Sequence, residues 1–157
     1  MVSTVFRDIY RQHPSFSRLE ELLAGDSAEP VTIHGLTGSS RSIVMAGALS
    51  QQPTTHVVLL PEKEDAAYFY NDLTSLIGDD NIFFFPGTYK RSVMYDQTEP
   101  ANIILRAEVL NFLSSGRRKC IIVTYPESVM EKVISKASLK KNTFIIKKGA
   151  KLSIEFL

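Results

Sequence analysis

Short apolar runs alternate along this chain with longer stretches in which apolar residues recur every three or four positions, a pattern that predicts strands followed by helices. Val5, Phe6, Ile9 and Tyr10 predict a helix over Thr4–His13 that Pro14 stops. A second short helix carrying Leu19, Leu22 and Leu23 is expected from a cap at Ser15 or Ser17 to Gly25. Val31–Ile33 reads as a buried strand, and the helix after it runs from about Ser39 to Gln51, closed by Pro53. His56–Leu60, the run HVVLL, reads as a strand covered on both faces. Pro61 and Glu62 open a helix to Ile77 whose buried face is Ala66, Phe69, Tyr70, Leu73, Leu76 and Ile77. Ile82–Phe85 is a further strand, followed by a Pro86-Gly87 turn and a polar linker, Thr88–Gln97. Thr98-Glu99-Pro100 begins a helix with Ile103, Ala107, Leu110 and Leu113 as its inward stripe, and Gly116 ends it. Ile121–Thr124 is the fourth strand, and Pro126–Ala137 the last helix, with Val129, Met130, Val133 and Ile134 inward.

Strand and helix thus alternate four times, which implies an α/β fold: a parallel sheet with helices on both faces. Ligands in such sheets bind at the carboxyl ends of the strands. The stretch expected there is VTIHGLTGSSRSIVMAGAL, Val31 to Leu49. A strand, a Gly-rich turn and a helix form the setting of a phosphate-binding loop, whose pattern is G-x-x-x-x-G-K-[ST]. Laid from Gly35, with Gly38 inside the turn, this chain places Ser40 at the second glycine, Arg41 at the lysine and Ser42 at the hydroxyl position. A working loop cradles phosphate with backbone N–H groups, reaches the outer phosphates with lysine and holds magnesium through the hydroxyl. Ser42 keeps the hydroxyl. Arg41 keeps a charge but offers a planar fork in place of an ammonium. Ser40 puts a β-carbon where the backbone must approach phosphate closely. The fourth strand ends in Thr124 and Tyr125, without the acidic pair of a second magnesium site. The expected fold is therefore P-loop NTPase-like or helicase-like with a degenerate nucleotide loop, and no bound cofactor, metal or catalytic residue is expected.

The 157 residues fit a domain of ordinary size, and 44% hydrophobic content is enough for a core. The single cysteine excludes an internal disulfide and suits a cytoplasmic protein; Cys120 opens the run CIIV and reads as a buried structural thiol. No secretory signal or long apolar run is visible. Charge divides unevenly: residues 1–116 carry 8 Lys/Arg against 14 Asp/Glu, net −6, and residues 117–157 carry 10 against 3, net +7. Arg117, Arg118, Lys119, Lys147 and Lys148 are the candidate basic contact surface, facing nucleic acid, a partner or an acidic neighbouring domain. No His/Cys/Asp/Glu spacing reads as a metal site, and no nucleophile–base pair can be argued from three histidines. His13 reads as a surface residue, and Tyr68, Tyr70, Tyr89 and Tyr95 as core or rim.

The ordered set GLTGSSRSIVMAGAL, HVVLLPEKEDAAYFYNDL, FFFPGTY, LRAEVLNFL and CIIVTYPESVMEKV resembles the N-terminal, UvrB-like region of bacterial transcription-repair coupling factors. KKGAKLSIEFL is similar to the opening of that family's next small domain. The resemblance implies three parts: an N-terminal helical layer over 1–29, a UvrB-like α/β domain over 30–138, and the start of a truncated small domain over 139–157. It implies a region without a competent ATP site, in keeping with Ser40 and Arg41, inside a longer ATP-dependent DNA translocase. That protein would displace stalled RNA polymerase and recruit UvrA in nucleotide-excision repair, with UvrA meeting the completed small domain and RNA polymerase and DNA meeting other domains. Pro86–Gln97 is too short for the DNA-clamping hairpin of UvrB. A non-catalytic scaffold is the primary expectation; a weak nucleotide- or nucleic-acid-binding module of a helicase-like protein is the alternative.

Overall fold

A computed structural model describes residues 9–10, 12–25, 30–50, 52–88, 100–117, 119–142 and 149. The elements, in chain order, are α1 (Pro14–Ala24), α2 (Ser40–Leu49), β1 (His56–Leu59), α3 (Lys63–Ile77), β2 (Ile82–Phe84), α4 (Pro100–Ser114), β3 (Ile121–Thr124), α5 (Pro126–Met130) and α6 (Lys136–Asn142). The three strands form one parallel sheet in the order β1-β3-β2. His56 and Ile82 both stand in register with Ile121, so the strands start where the sequence predicts.

Central β3 is buried along its whole length because helices cover both of its faces. On one face α2 and α3 supply Ala46, Leu49, Ala66, Phe69 and Leu73, packed on Ile82, Ile121, Val123 and Tyr125. On the other, Val109 and Phe112 of α4 meet Cys120 and Ile122, with Phe83 and Phe85 alongside. Cys120 is the expected buried thiol: burial pushes its pKa up, against a weaker opposing effect of the Thr55 hydroxyl 3.6 Å away. A satellite cluster joins Phe16 and Leu19 of α1 to Val44 and Ala48 of α2.

Several expectations are corrected. Val31–Ile33 has no regular secondary structure and belongs to no sheet, and Val31 and Ile33 are 50% and 43% exposed. A strand needs a backbone partner as well as apolar side chains, and this run has no ladder among the described residues. The sheet accordingly has three strands. β1 is an edge strand, with Val57 and Leu59 63% and 58% exposed, so it is covered on one face only.

Ile9 and Tyr10 are helical and the chain turns before Pro14, as expected; Pro14 itself occupies the first turn of α1, where its missing N–H has no intrahelical acceptor to lose. The cap is the exposed His13, whose Nδ1 accepts the Ser15 N–H at 3.2 Å, and neither Ser15 nor Ser17 fills that place. Most of the helix expected over Thr4–His13 lies outside the described residues.

The inward face of α4 is Asn102, Arg106, Val109 and Phe112, rotated from the expected stripe; Ile103 and Leu113 are exposed. The helix expected over Pro126–Ala137 divides into α5 and α6, and Val129, Met130, Val133 and Ile134 are exposed. α6 restarts on Ser135, whose Oγ accepts the Ser138 N–H at 3.2 Å. The expected boundary at residue 139 falls within α6, and most of the tail lies outside the described residues.

Candidate functional site: the degenerate loop and the carboxyl end of the sheet

The loop before α2 takes the shape of a Gly-rich turn. Gly35 and Gly38 hold φ of +85° and +53°, the left-handed region in which a side chain is strained. Ser40 opens α2 and its hydroxyl donates to the Thr37 carbonyl at 2.6 Å, closing the turn on itself. Arg41 is exposed.

Ser42 is the informative position. It is 4% exposed, and its hydroxyl donates to Oδ2 of Asp72 on α3 at 2.6 Å. This bond belongs to the packing of α2 on α3, so the hydroxyl that would serve magnesium is committed to a carboxylate between two helices. The segment before the loop is not a sheet strand. The loop therefore lacks the strand–turn–helix setting that fixes a phosphate cradle.

A second set of polar residues, missed from the sequence, lies where the chain leaves β2 and β3. The Arg106 side chain is buried, with Nη1 donating to the carbonyl of Pro86 at 2.8 Å and to the carbonyl and hydroxyl of Ser128, each at 3.1 Å. Oε2 of Glu131 is 3.5 Å from the same nitrogen. The guanidinium carbon stacks 4.1 Å from the Phe85 ring centre. Burial lowers the pKa of Arg106, and Glu131 and then Tyr125 act in the opposite direction.

Around this centre, Glu131 accepts the N–H and hydroxyl of Thr88 at 2.9 Å. The Gly87 N–H donates to the Tyr125 hydroxyl at 2.7 Å, and Asn102 Nδ2 donates to the Gly87 carbonyl at 2.8 Å. Ser128 and Thr124 both donate to the Phe85 carbonyl, at 2.7 and 2.8 Å. A Cβ at Gly87 would lie 2.8 Å from Glu131 Oε1, which explains glycine there. The arrangement fixes the Phe85–Thr88 turn and offers no nucleophile with an adjacent base. The sequence signal was an Asn and an Arg four apart in a helix rich in apolar residues.

Of the basic candidates, Arg117 and Lys119 are exposed, and the Arg117 guanidinium sits 5.5 Å from the Phe112 ring centre. Arg117 lines a groove together with Asp79, Asp80 and Glu108. Arg118, Lys147 and Lys148 lie outside the described residues. The described residues hold no group of three or more His, Cys, Asp or Glu able to bind a metal, and no helix long and apolar enough to cross a membrane.

No protein-family model matches the chain, and no curated protein matches it at significance.

Proposed function

We propose that this chain is a non-catalytic α/β scaffold, the UvrB-like part of a transcription-repair coupling factor, in which a nucleotide loop has become a structural turn. The observation that carries the silent-site reading is the Ser42–Asp72 bond, because it uses within the helix packing the one magnesium-type hydroxyl the motif retains. Ser40 closing onto Thr37 supports the same reading, since the loop satisfies its own carbonyl. The assignment to repair rests on the ordered sequence resemblance. In the complete protein, on this reading, a separate motor moves on DNA and displaces RNA polymerase, and UvrA docks on the small domain that follows.

Calorimetry with magnesium-ATP tests the silent site. The chain binds no tighter than about millimolar, and Ser40→Gly with Arg41→Lys fails to create an ATPase because the groups that position magnesium and water are still missing. A micromolar constant abolished by Arg41→Ala overturns the reading. Surface-immobilised UvrA, offered this chain and a longer polypeptide completing the small domain, tests the scaffold. The longer one is expected to bind and this chain to bind weakly or not at all, because a stable interface needs a formed surface of about 1,200–2,000 Å². Equal affinities place the recruiting face on the α/β domain instead.

A further inference from the structure

β2 is the other edge of the sheet, and its outer side is bordered by a groove of about 530 Å³ between α3 and α4. The Asn81 carbonyl and the Phe85 N–H bond to β3. By the two-residue alternation of a strand, the backbone of Phe84 and the carbonyl of Ile82 point the other way, into the groove. No described strand pairs with them.

The two walls differ in chemistry. On the α3 side, Tyr70 and Phe84 form an aromatic pair with ring centres 5.6 Å apart. On the α4 side and at the mouth stand the exposed carboxylates of Glu108, Asp79 and Asp80, three acids against the single described cation of the lining, Arg117. None of these three acids has a salt-bridge partner among the described residues. Burial first, and then the charges of Glu108 and Asp79, push the Tyr70 pKa up.

We propose that the β2 edge is a docking site for an extended basic peptide segment of a partner protein, which adds as a strand beside Phe84. Strand addition supplies main-chain hydrogen bonds, and the pockets for alternate side chains supply specificity. Alternation sends one set of side chains toward Tyr70 and Phe84 and the other toward Glu108. The fitting sequence therefore alternates apolar residues with Lys or Arg. Complementary charge fixes the register and speeds encounter. The same carboxylates repel a nucleic-acid backbone.

The test is fluorescence anisotropy of the intact chain with a labelled peptide alternating lysine and valine, with backbone amide shifts of Asn81–Phe84 followed by NMR. Binding is expected, with those amides shifting, and Glu108→Lys weakens it at least about 10-fold. Glu108→Gln, checked by circular dichroism for an unchanged fold, weakens it by a smaller factor. Raising salt from about 50 to about 200 mM weakens it further. The same peptide N-methylated at every residue, which cannot donate to a strand from either edge, loses binding. The proposal is overturned by any of four results: no binding at about 1 mM peptide, equal binding of a glutamate–valine peptide, equal binding of the N-methylated peptide, or affinity unchanged in both Glu108 variants.

Discussion

Arg106→Met is the most informative single change in this molecule. The arginine side chain is 7% exposed and its Nη1 serves the Pro86 carbonyl, the Ser128 carbonyl and the Ser128 hydroxyl, beside Glu131 at 3.5 Å. Methionine fills much of the volume but donates nothing. Two buried carbonyls then lose a charged donor, and Glu131 loses its counter-charge. Removing one partner of a buried ion pair costs about 3–5 kcal/mol. Glu131 keeps the Thr88 N–H and hydroxyl, so its carboxylate is not left bare. That places the expected loss near the lower bound, about 3 kcal/mol. Urea unfolding followed by far-UV circular dichroism measures it as a fall in midpoint at constant slope. Glu131→Gln, which retains an acceptor for Thr88, costs about 1–2 kcal/mol, and the double variant R106M/E131Q loses less than the sum by about 1 kcal/mol or more. A loss below about 1 kcal/mol for Arg106→Met, or strict additivity in the cycle, refutes the claim that this pair organises the carboxyl end of the sheet.

Gly87→Ala lowers stability by about 1–2 kcal/mol in the same urea assay, because the new methyl meets Oε1 of Glu131 at 2.8 Å, an oxygen that the Thr88 N–H holds in place; a neutral result refutes the close approach. Ser42→Ala costs about 1 kcal/mol and couples to Asp72→Ala, and additivity of the two shows that their bond is not formed in solution. His56 has its pKa lowered from 6.5 by burial, so the fold disfavours the imidazolium. Its contribution is fully present above about pH 6.5 and is lost as pH falls through the lower folded-state value. Urea midpoints of wild type and His56→Gln across that range should diverge on the acid side, and parallel curves count against it.

The strands were legible because HVVL, IFF and IIVT are too short and too apolar to be amphipathic helices, and each is bounded by turn residues or charge. The α3 helix was legible for the opposite reason: its apolar positions fall on one side, and Ala66, Phe69 and Leu73 are its buried residues. Val31–Ile33 has the same local pattern as the true strands. What it lacks is a paired strand among the described residues, and pairing depends on distant parts of the chain and leaves no trace in three residues. The loop chemistry at Ser40 and Arg41 could be read directly. That Ser42 bonds to a residue thirty positions away could not, because nothing in α2 or α3 alone points to the partner.

The rotation of α4 and the early end of α5 share one cause. α4 is apolar on nearly every side, with Ile103, Ile104, Leu110, Val109, Phe112 and Leu113, so hydrophobic burial alone favours no single face strongly. Hydrogen bonding decides instead. Asn102 and Arg106 lie four residues apart, on one side of the helix. Turning that side inward satisfies the Pro86, Gly87 and Ser128 carbonyls at once. The apolar residues left outside cost little by comparison, since exposed aliphatic side chains are common on folded surfaces. The same centre draws Glu131 to Thr88 and Arg106, and Glu131 adopts extended φ and ψ of −72° and 137°, which ends α5 after Met130. With the helix broken there, Val133 and Ile134 lose the periodicity that would have turned them inward, and α6 needs the new cap at Ser135. Hydrophobic spacing therefore misassigns both segments wherever a buried ion pair outweighs the apolar stripe.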